Sequence, residues 1–158
     1  PVIAMYNPGT HANHWSGETK LADFKDAEIG EMFMSHEMID NAQNFPNMDG
    51  PAVFKVAVEK FPQVIREALA KNNLETSDLN MLIPHQANLR ISQFVQKKLG
   101  LRDDQVYNNI MQYGNTTAAS VPIALCEAWE KGLVKEGDLV CLAAFGSGFT
   151  WASALLRW

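Results

Sequence analysis

Cysteine is scarce in this sequence. Cys126 and Cys141 are the only two in 158 residues, and their separation fits neither a metal-ligand pair nor a disulfide framework. A reducing cytoplasm is therefore the expected compartment. No apolar run approaches the roughly 20 residues that a membrane-crossing helix needs, so no membrane association is expected. No basic-then-apolar targeting segment stands at the start. Positive charge is also in deficit: 13 Lys and Arg against 18 Asp and Glu leave a formal net charge of −5. Phosphate binding rests on clustered positive charge, so the balance counts against a nucleic-acid partner. Internal repeats and low-complexity tracts are missing too. His11, His14 and His36 contribute a loose H-x-x-H, but without the acidic helix context of a zinc site. They read as surface-loop residues, and no metal is expected.

What remains is ordinary globular composition, 47% hydrophobic and 20% charged, in a length that suits one domain with a real core. The chain opens on Pro1-Val2-Ile3-Ala4-Met5, an apolar, strand-like run of the kind found inside sheets. The expectation is that coding sequence lies upstream and that the chain is a fragment or a processed product. From Asn7 to Asn47 no clean period is visible; loops are expected, with a short strand near Glu31–Ser35. Val53, Ala57, Phe61, Ile65 and Ala68 then form one apolar stripe, which predicts a helix over Ala52–Asn73. Pro62 inside it removes a backbone donor and should kink or split that helix.

Met81-Leu82-Ile83 reads as a short buried strand ended by Pro84. A helix follows over Asn88–Leu99, with Ile91, Phe94, Val95 and Leu99 inward and Gly100 closing it. Val106–Ile110 reads as a strand. Thr117–Lys131 reads as a helix, with Pro122 in its first turn and Gly132 as its stop. Leu139–Phe145 and Trp151–Trp158 are apolar strands so closely spaced that they should pair antiparallel. Alternating strands and helices that end in such a pair imply an α/β layered fold.

Three short segments could carry chemistry. Ile83-Pro84-His85-Gln86-Ala87-Asn88 lies where a buried strand ends and a helix begins, the place where open α/β sheets bind ligands. Alone, His85 reads as a hydrogen-bonded turn residue rather than a reactive one. Tyr113-Gly114-Asn115-Thr116-Thr117-Ala118-Ala119-Ser120 turns into a helix, with Thr116 or Thr117 as candidate N-cap. Its small residues allow close backbone approach. Ala143-Ala144-Phe145-Gly146-Ser147-Gly148-Phe149-Thr150-Trp151 is a glycine-rich turn between two strands. It fails the dinucleotide and P-loop signatures, since a strand rather than a helix follows. Such a turn can still aim backbone N–H groups at a developing oxyanion.

Together, the PHQAN, GNTTAASVP and AFGSGFTWASAL segments resemble, in order and spacing, the ketoacyl-(acyl carrier protein) synthase III branch of the thiolase superfamily. The resemblance is close from Gly50 to Trp158 and loose from Pro1 to Asp49. Chain-elongating and chalcone-synthase-like relatives differ at these positions. The resemblance implies the C-terminal half of a thiolase-like layered α-β-α fold with a mixed sheet, filling residues 1–158, with 1–49 a divergent, loop-rich entry. It further implies a share in a Cys-His-Asn condensing site that uses acyl-CoA and malonyl-acyl carrier protein and no cofactor. By that resemblance His85 and Asn115 donate hydrogen bonds to the malonyl thioester carbonyl. The Gly146-Ser147-Gly148 loop supplies an oxyanion N–H, with Ser147 standing where many relatives have glycine. Phe145 gates the reacting atoms, and Asn88, Met48 and Gly50 match positions lining a pantetheine tunnel. Lys55, Arg90, Lys97 and Lys98 match a basic patch that docks the acidic carrier protein. Arg90, Gln93 and Lys97 share one helix face by spacing.

The nucleophilic cysteine is not in this chain. Cys126, mid-helix, and Cys141, in an apolar strand, read as buried packing residues. In the family the reactive cysteine lies in the N-terminal half, so the implied partners are that half, the carrier protein and, for the full protein, a second copy. Alone, the chain is expected to be inactive. Two other readings stay open: a related synthase or acyltransferase making alkylquinolones, pyrones or similar products, and a non-catalytic thiolase-fold partner domain.

Overall fold

The structure is a computed structural model describing residues 2–6, 40, 48–146 and 149–158. The expected loops and short strand between Asn7 and Asn47, the three histidines there, and Ser147 and Gly148 lie outside the described residues.

In chain order the elements are strand β1 (Val2–Tyr6), helix α1 (Gly50–Lys71), strand β2 (Met81–Pro84), helix α2 (Leu89–Leu99), the one-turn helix α3 (Ile110–Tyr113), helix α4 (Ser120–Glu130), and strands β3 (Leu139–Gly146) and β4 (Thr150–Arg157). The four strands form one sheet in the order β1-β4-β3-β2. β2 runs parallel to β3, while β3 pairs with β4 and β4 with β1 antiparallel, so the sheet is mixed.

β3 shows how the layers arise. Side chains alternate faces along a strand. Leu139, Cys141, Ala143 and Phe145 pack with Ala57, Phe61, Ile65 and Leu69 of α1 and with Val95 and Leu99 of α2. Val140 and Leu142 pack with Ala124 and Ala128 of α4. A strand covered on both faces must be apolar at every step, and LVCLAAF is. The result is the α-β-α layering expected. Burying a side chain such as Ile65 or Leu69 contributes about 1.5–3 kcal/mol.

α1 starts at Asp49, whose carboxylate accepts the Ala52 N–H at 3.0 Å. It stays one helix through Pro62 rather than splitting. Pro62 is itself buried between Phe61 and Ile65 on the packed face; that packing holds the helix across the missing N–H. α2 ends as expected on Gly100, whose φ of 71° lets its N–H cap the last carbonyls.

Three other expectations change. Phe94 is not inward but 42% exposed, set edge-on to Phe54 of α1 at 6.3 Å. Val106–Ile110 is not a strand. Only Val106 bridges to Leu82, and then Gln86 captures the backbone donors of Asn109 and Ile110 and curls the chain into α3. Cys126 is exposed, not buried, whereas Cys141 is buried. A helix packed on only one face leaves the opposite side of α4 uncovered.

Candidate active site

The reactive groups sit at the sheet edge where β2, β3 and β4 end or turn. His85 follows the last residue of β2, and its N–H donates to the Ala143 carbonyl at 2.8 Å. That bond extends the ladder by one residue and fixes the histidine backbone to the sheet. Its ring is half-buried, with Nδ1 2.6 Å from Ser120 Oγ. Burial lowers its pKa below the ordinary 6.5, so the neutral imidazole is the form at neutral pH. Among the described residues, Nε2 has no partner.

Gln86 is buried and fully satisfied. Its Nε2 donates to Pro84 O at 2.7 Å and Tyr107 O at 3.4 Å. Its Oε1 accepts the N–H groups of Asn109 and Ile110 at 3.0 and 3.1 Å. The side chain therefore holds the histidine turn against the segment leading to Asn115. A second tie runs from Asn109 Nδ2 to Glu127 of α4 at 2.9 Å.

Asn115 is reached through a tight turn. Gly114 has φ 67° and ψ −157°, a region essentially limited to glycine. Asn115 Oδ1 then accepts the Thr117 N–H at 2.8 Å. Neither Thr116 nor Thr117 caps with its side chain, because the asparagine carbonyl has taken that role. Thr117 adopts φ 53°, an uncommon conformation for a β-branched residue. With Oδ1 occupied by a donor, the Asn115 Nδ2 group is oriented and has no partner among the described residues.

His85 and Asn115 line one cleft of about 660 Å³. Thr117, Ala118 and Val121 form one wall, and Ala144, Phe145 and Gly146 continue it along β3. Phe145 stacks on Trp151 across the β3–β4 pair, with centroids 6.2 Å apart and planes within 6°. The histidine, the asparagine, Phe145 and Gly146 are thus brought together. Met48, Asn88 and Gly50 are not part of the cleft wall: Met48 is exposed ahead of α1, Gly50 opens α1, and Asn88 caps α2 by accepting the Arg90 N–H at 2.9 Å. Lys55, Arg90, Lys97 and Lys98 are all exposed, on the packed helices α1 and α2.

Such a cleft offers two neutral nitrogen donors, from His85 and Asn115, on a largely apolar wall. Comparison with known proteins decides the family. The family model described as 3-oxoacyl-[acyl-carrier-protein] synthase III C terminal matches residues 69–158. This chain belongs to that family. The ketoacyl synthase III of Clostridium tetani is 50% identical over 131 residues, covering 83% of this chain and 39% of the relative. The solved Aquifex aeolicus 3-oxoacyl-[acyl-carrier-protein] synthase III superposes with a TM-score of 0.70 at 46% identity, over 71% of this chain and 36% of that one. The Pseudomonas aeruginosa enzyme superposes with 0.79 at 33% identity, over 99% of this chain and 44% of that one. The chain thus spans about two fifths of the length of the curated relatives it matches.

Within this synthase III C-terminal fold, sequence reasoning missed Ser120, Thr150 and Trp151. Thr150 and Trp151 follow the glycine-rich turn, and their cross-strand register with Gly146 and Phe145 was implied by the hairpin reading. Ser120 carried no separate signal, being one small residue in a run of them.

Proposed function

We propose that this chain supplies the decarboxylation half of a condensing enzyme of fatty acid synthesis, with acyl-CoA and malonyl-acyl carrier protein as substrates. One observation carries the reading: His85 and Asn115 line the same apolar cleft, and each keeps a ring or amide nitrogen without a partner among the described residues. Breaking the bond to the malonyl carboxylate releases CO₂ and moves its electron pair onto the thioester oxygen. Two preorganised neutral donors stabilise that enolate, and an apolar site strengthens them. The enolate carbon then attacks an acyl group carried as a cysteine thioester, and the C–S bond breaks to return the thiolate.

The cysteine must come from the family's N-terminal half. Cys141 is buried and its thiol is pushed up to about 12; the Glu130 carboxylate raises that of Cys126. Neither is an activated nucleophile. The far side of α4 supports that missing half as its cover. Pro122, Ile123, Cys126 and Trp129 are all exposed there, and an apolar helix surface of this kind belongs in an interior. We place the full protein in the cytoplasm as a homodimer, and two free cysteines, Cys126 and Cys141, fit a reducing compartment. No helix among the described residues is long and apolar enough to cross a membrane.

The carrier protein is assigned to the exposed cations on α1 and α2. Arg90 lies over the Phe54 ring at 5.8 Å and Lys98 over Phe94 at 5.8 Å. Aromatic faces hold these cations in place in a protein of net charge −5, which suits steering of an acidic partner. The test is incubation of the complete protein with acetyl-CoA and malonyl-carrier protein. Acetoacetyl product is expected from it and none from the 158-residue chain alone; no product from the complete protein would sink the reading.

A further inference from the structure

Ser120 has a place in this site that neither the resemblance nor the family match assigns. It is the first residue of α4, 1% exposed, and its Oγ lies 2.6 Å from His85 Nδ1. The Gln86 N–H donates to the same oxygen at 3.2 Å. A serine hydroxyl has one proton to give and two lone pairs to receive. Gln86 N–H occupies one lone pair. The hydroxyl proton then needs an acceptor, and His85 Nδ1 is the one within reach among the described residues. Were Nδ1 protonated instead, Oγ would accept twice and its own proton would be stranded in a buried site, which native proteins avoid.

We propose that Ser120 is a positioning residue that fixes His85 in the tautomer protonated at Nε2, so that the unpartnered nitrogen is a hydrogen-bond donor. A neutral imidazole with its proton on Nδ1 would present a lone pair to the cleft. It would repel a developing oxyanion rather than stabilise it. The bond also ties the end of β2 to the start of α4, so ring orientation and tautomer are set together. The catalytic consequence rests on the decarboxylation reading above; the tautomer does not.

The experiment uses the complete protein labelled with ¹⁵N-histidine, near neutral pH, with His85 assigned by its loss in His85→Ala. Long-range ¹H–¹⁵N correlation should show Nε2 protonated and Nδ1 as a bare acceptor. Ser120→Ala should move both nitrogens toward the averaged shifts of mixed tautomers, and Ser120→Thr, which keeps the hydroxyl, should restore them. Turnover for decarboxylation of the malonyl thioester should fall about tenfold in Ser120→Ala, less than the roughly 10²–10³ for losing an oxyanion donor outright, because part of the ring population still presents Nε2–H. Its KM should hold, and so should acylation of the cysteine by acyl-CoA, which reports an intact fold. A wild-type ring protonated at Nδ1 overturns the proposal. So does a Ser120→Ala variant with unchanged shifts, or with altered shifts and undiminished decarboxylation. Undiminished decarboxylation in His85→Ala would instead overturn the functional reading and leave the tautomer result standing.

Discussion

The backbone N–H of Asn109 donates to Gln86 Oε1 at 3.0 Å, and this bond joins the strand end that bears His85 to the segment that leads to Asn115. Gln86 thereby satisfies four buried or part-buried backbone groups with one side chain. Gln86→Ala leaves Pro84 O, Tyr107 O, Asn109 N and Ile110 N short of a partner at once. An unsatisfied buried group costs about 1–3 kcal/mol, and losses within one network do not add. The expected loss is about 2–4 kcal/mol, read from the denaturant midpoint.

Asn115→Asp separates the two jobs of that side chain. A carboxylate oxygen can still accept the Thr117 N–H that Oδ1 now takes at 2.8 Å, so the turn should survive. The Nδ2 donor is replaced by an anion facing the enolate. Decarboxylation should fall by about 10²–10³ or more, as for loss of an oxyanion donor. Acyl transfer from acyl-CoA to the cysteine should be spared. Equal loss in both steps would show that the turn, not the donor, had failed.

Gly114→Ala tests the backbone alone. A Cβ at this position meets nothing within 4 Å, so crowding cannot account for any effect. The φ of 67° with ψ −157° is the obstacle, at a cost of about 1–3 kcal/mol. Unfolding should register that loss. The turn should also relax away from its glycine geometry and lower decarboxylation through Asn115.

Much of this architecture was legible because its signals are local and repeat. The β3–β4 pair, the α2 stop at Gly100 and the first-turn place of Pro122 follow from alternation, glycine geometry and helix ends. The failures share a cause, which is that tertiary surroundings overrode a local pattern. Val106–Ile110 has strand composition, yet Gln86, some twenty residues earlier, takes the donors a neighbouring strand would need. Phe94 fits the apolar stripe of α2, but the lower part of that stripe, Val95 and Leu99, suffices to reach the core. Phe94 is left over Phe54 at the rim. Cys126 looked like a core residue because α4 is apolar on more than one side, and periodicity cannot tell which side a domain leaves open. Within the site, His85 and Asn115 were recognised from their motif context, whereas the Ser120 contact spans 35 residues and exists only in three dimensions.

The thiols offer a direct check on where the nucleophile lies. Burial pushes Cys141 up to about 12, so at neutral pH it is a neutral thiol with no path to solvent. Cys126 is exposed, but the neighbouring Glu130 carboxylate raises its pKa as well, repelling the thiolate. With the folded pKa raised, thiolate forms only as pH rises well above neutral. Alkylation by iodoacetamide should therefore be slow at Cys126, faster with increasing pH and faster in Glu130→Gln, and absent at Cys141 until the chain unfolds. Intact-mass analysis after incubation with acetyl-CoA should find no acyl group on either residue.

Charge reversal on α2 tests the carrier-protein face without touching the cleft. Lys97 and Lys98 are exposed in the last turn of that helix, where they also favour the negative helix end by a few tenths of a kcal/mol. Lys97→Glu combined with Lys98→Glu should raise KM for malonyl-carrier protein by about tenfold at low salt, with the difference shrinking as salt rises and screens the pair. Activity toward a malonyl-pantetheine thioester without the protein carrier should stay within about twofold, because surface changes away from the site cost little. Phe94→Ala should act in the same direction more weakly, since it releases Lys98 from its aromatic support at 5.8 Å while leaving the charge in place. A double reversal that slows the small thioester as much as the carrier-bound one would place the cations in folding or catalysis, and remove α2 as the docking face.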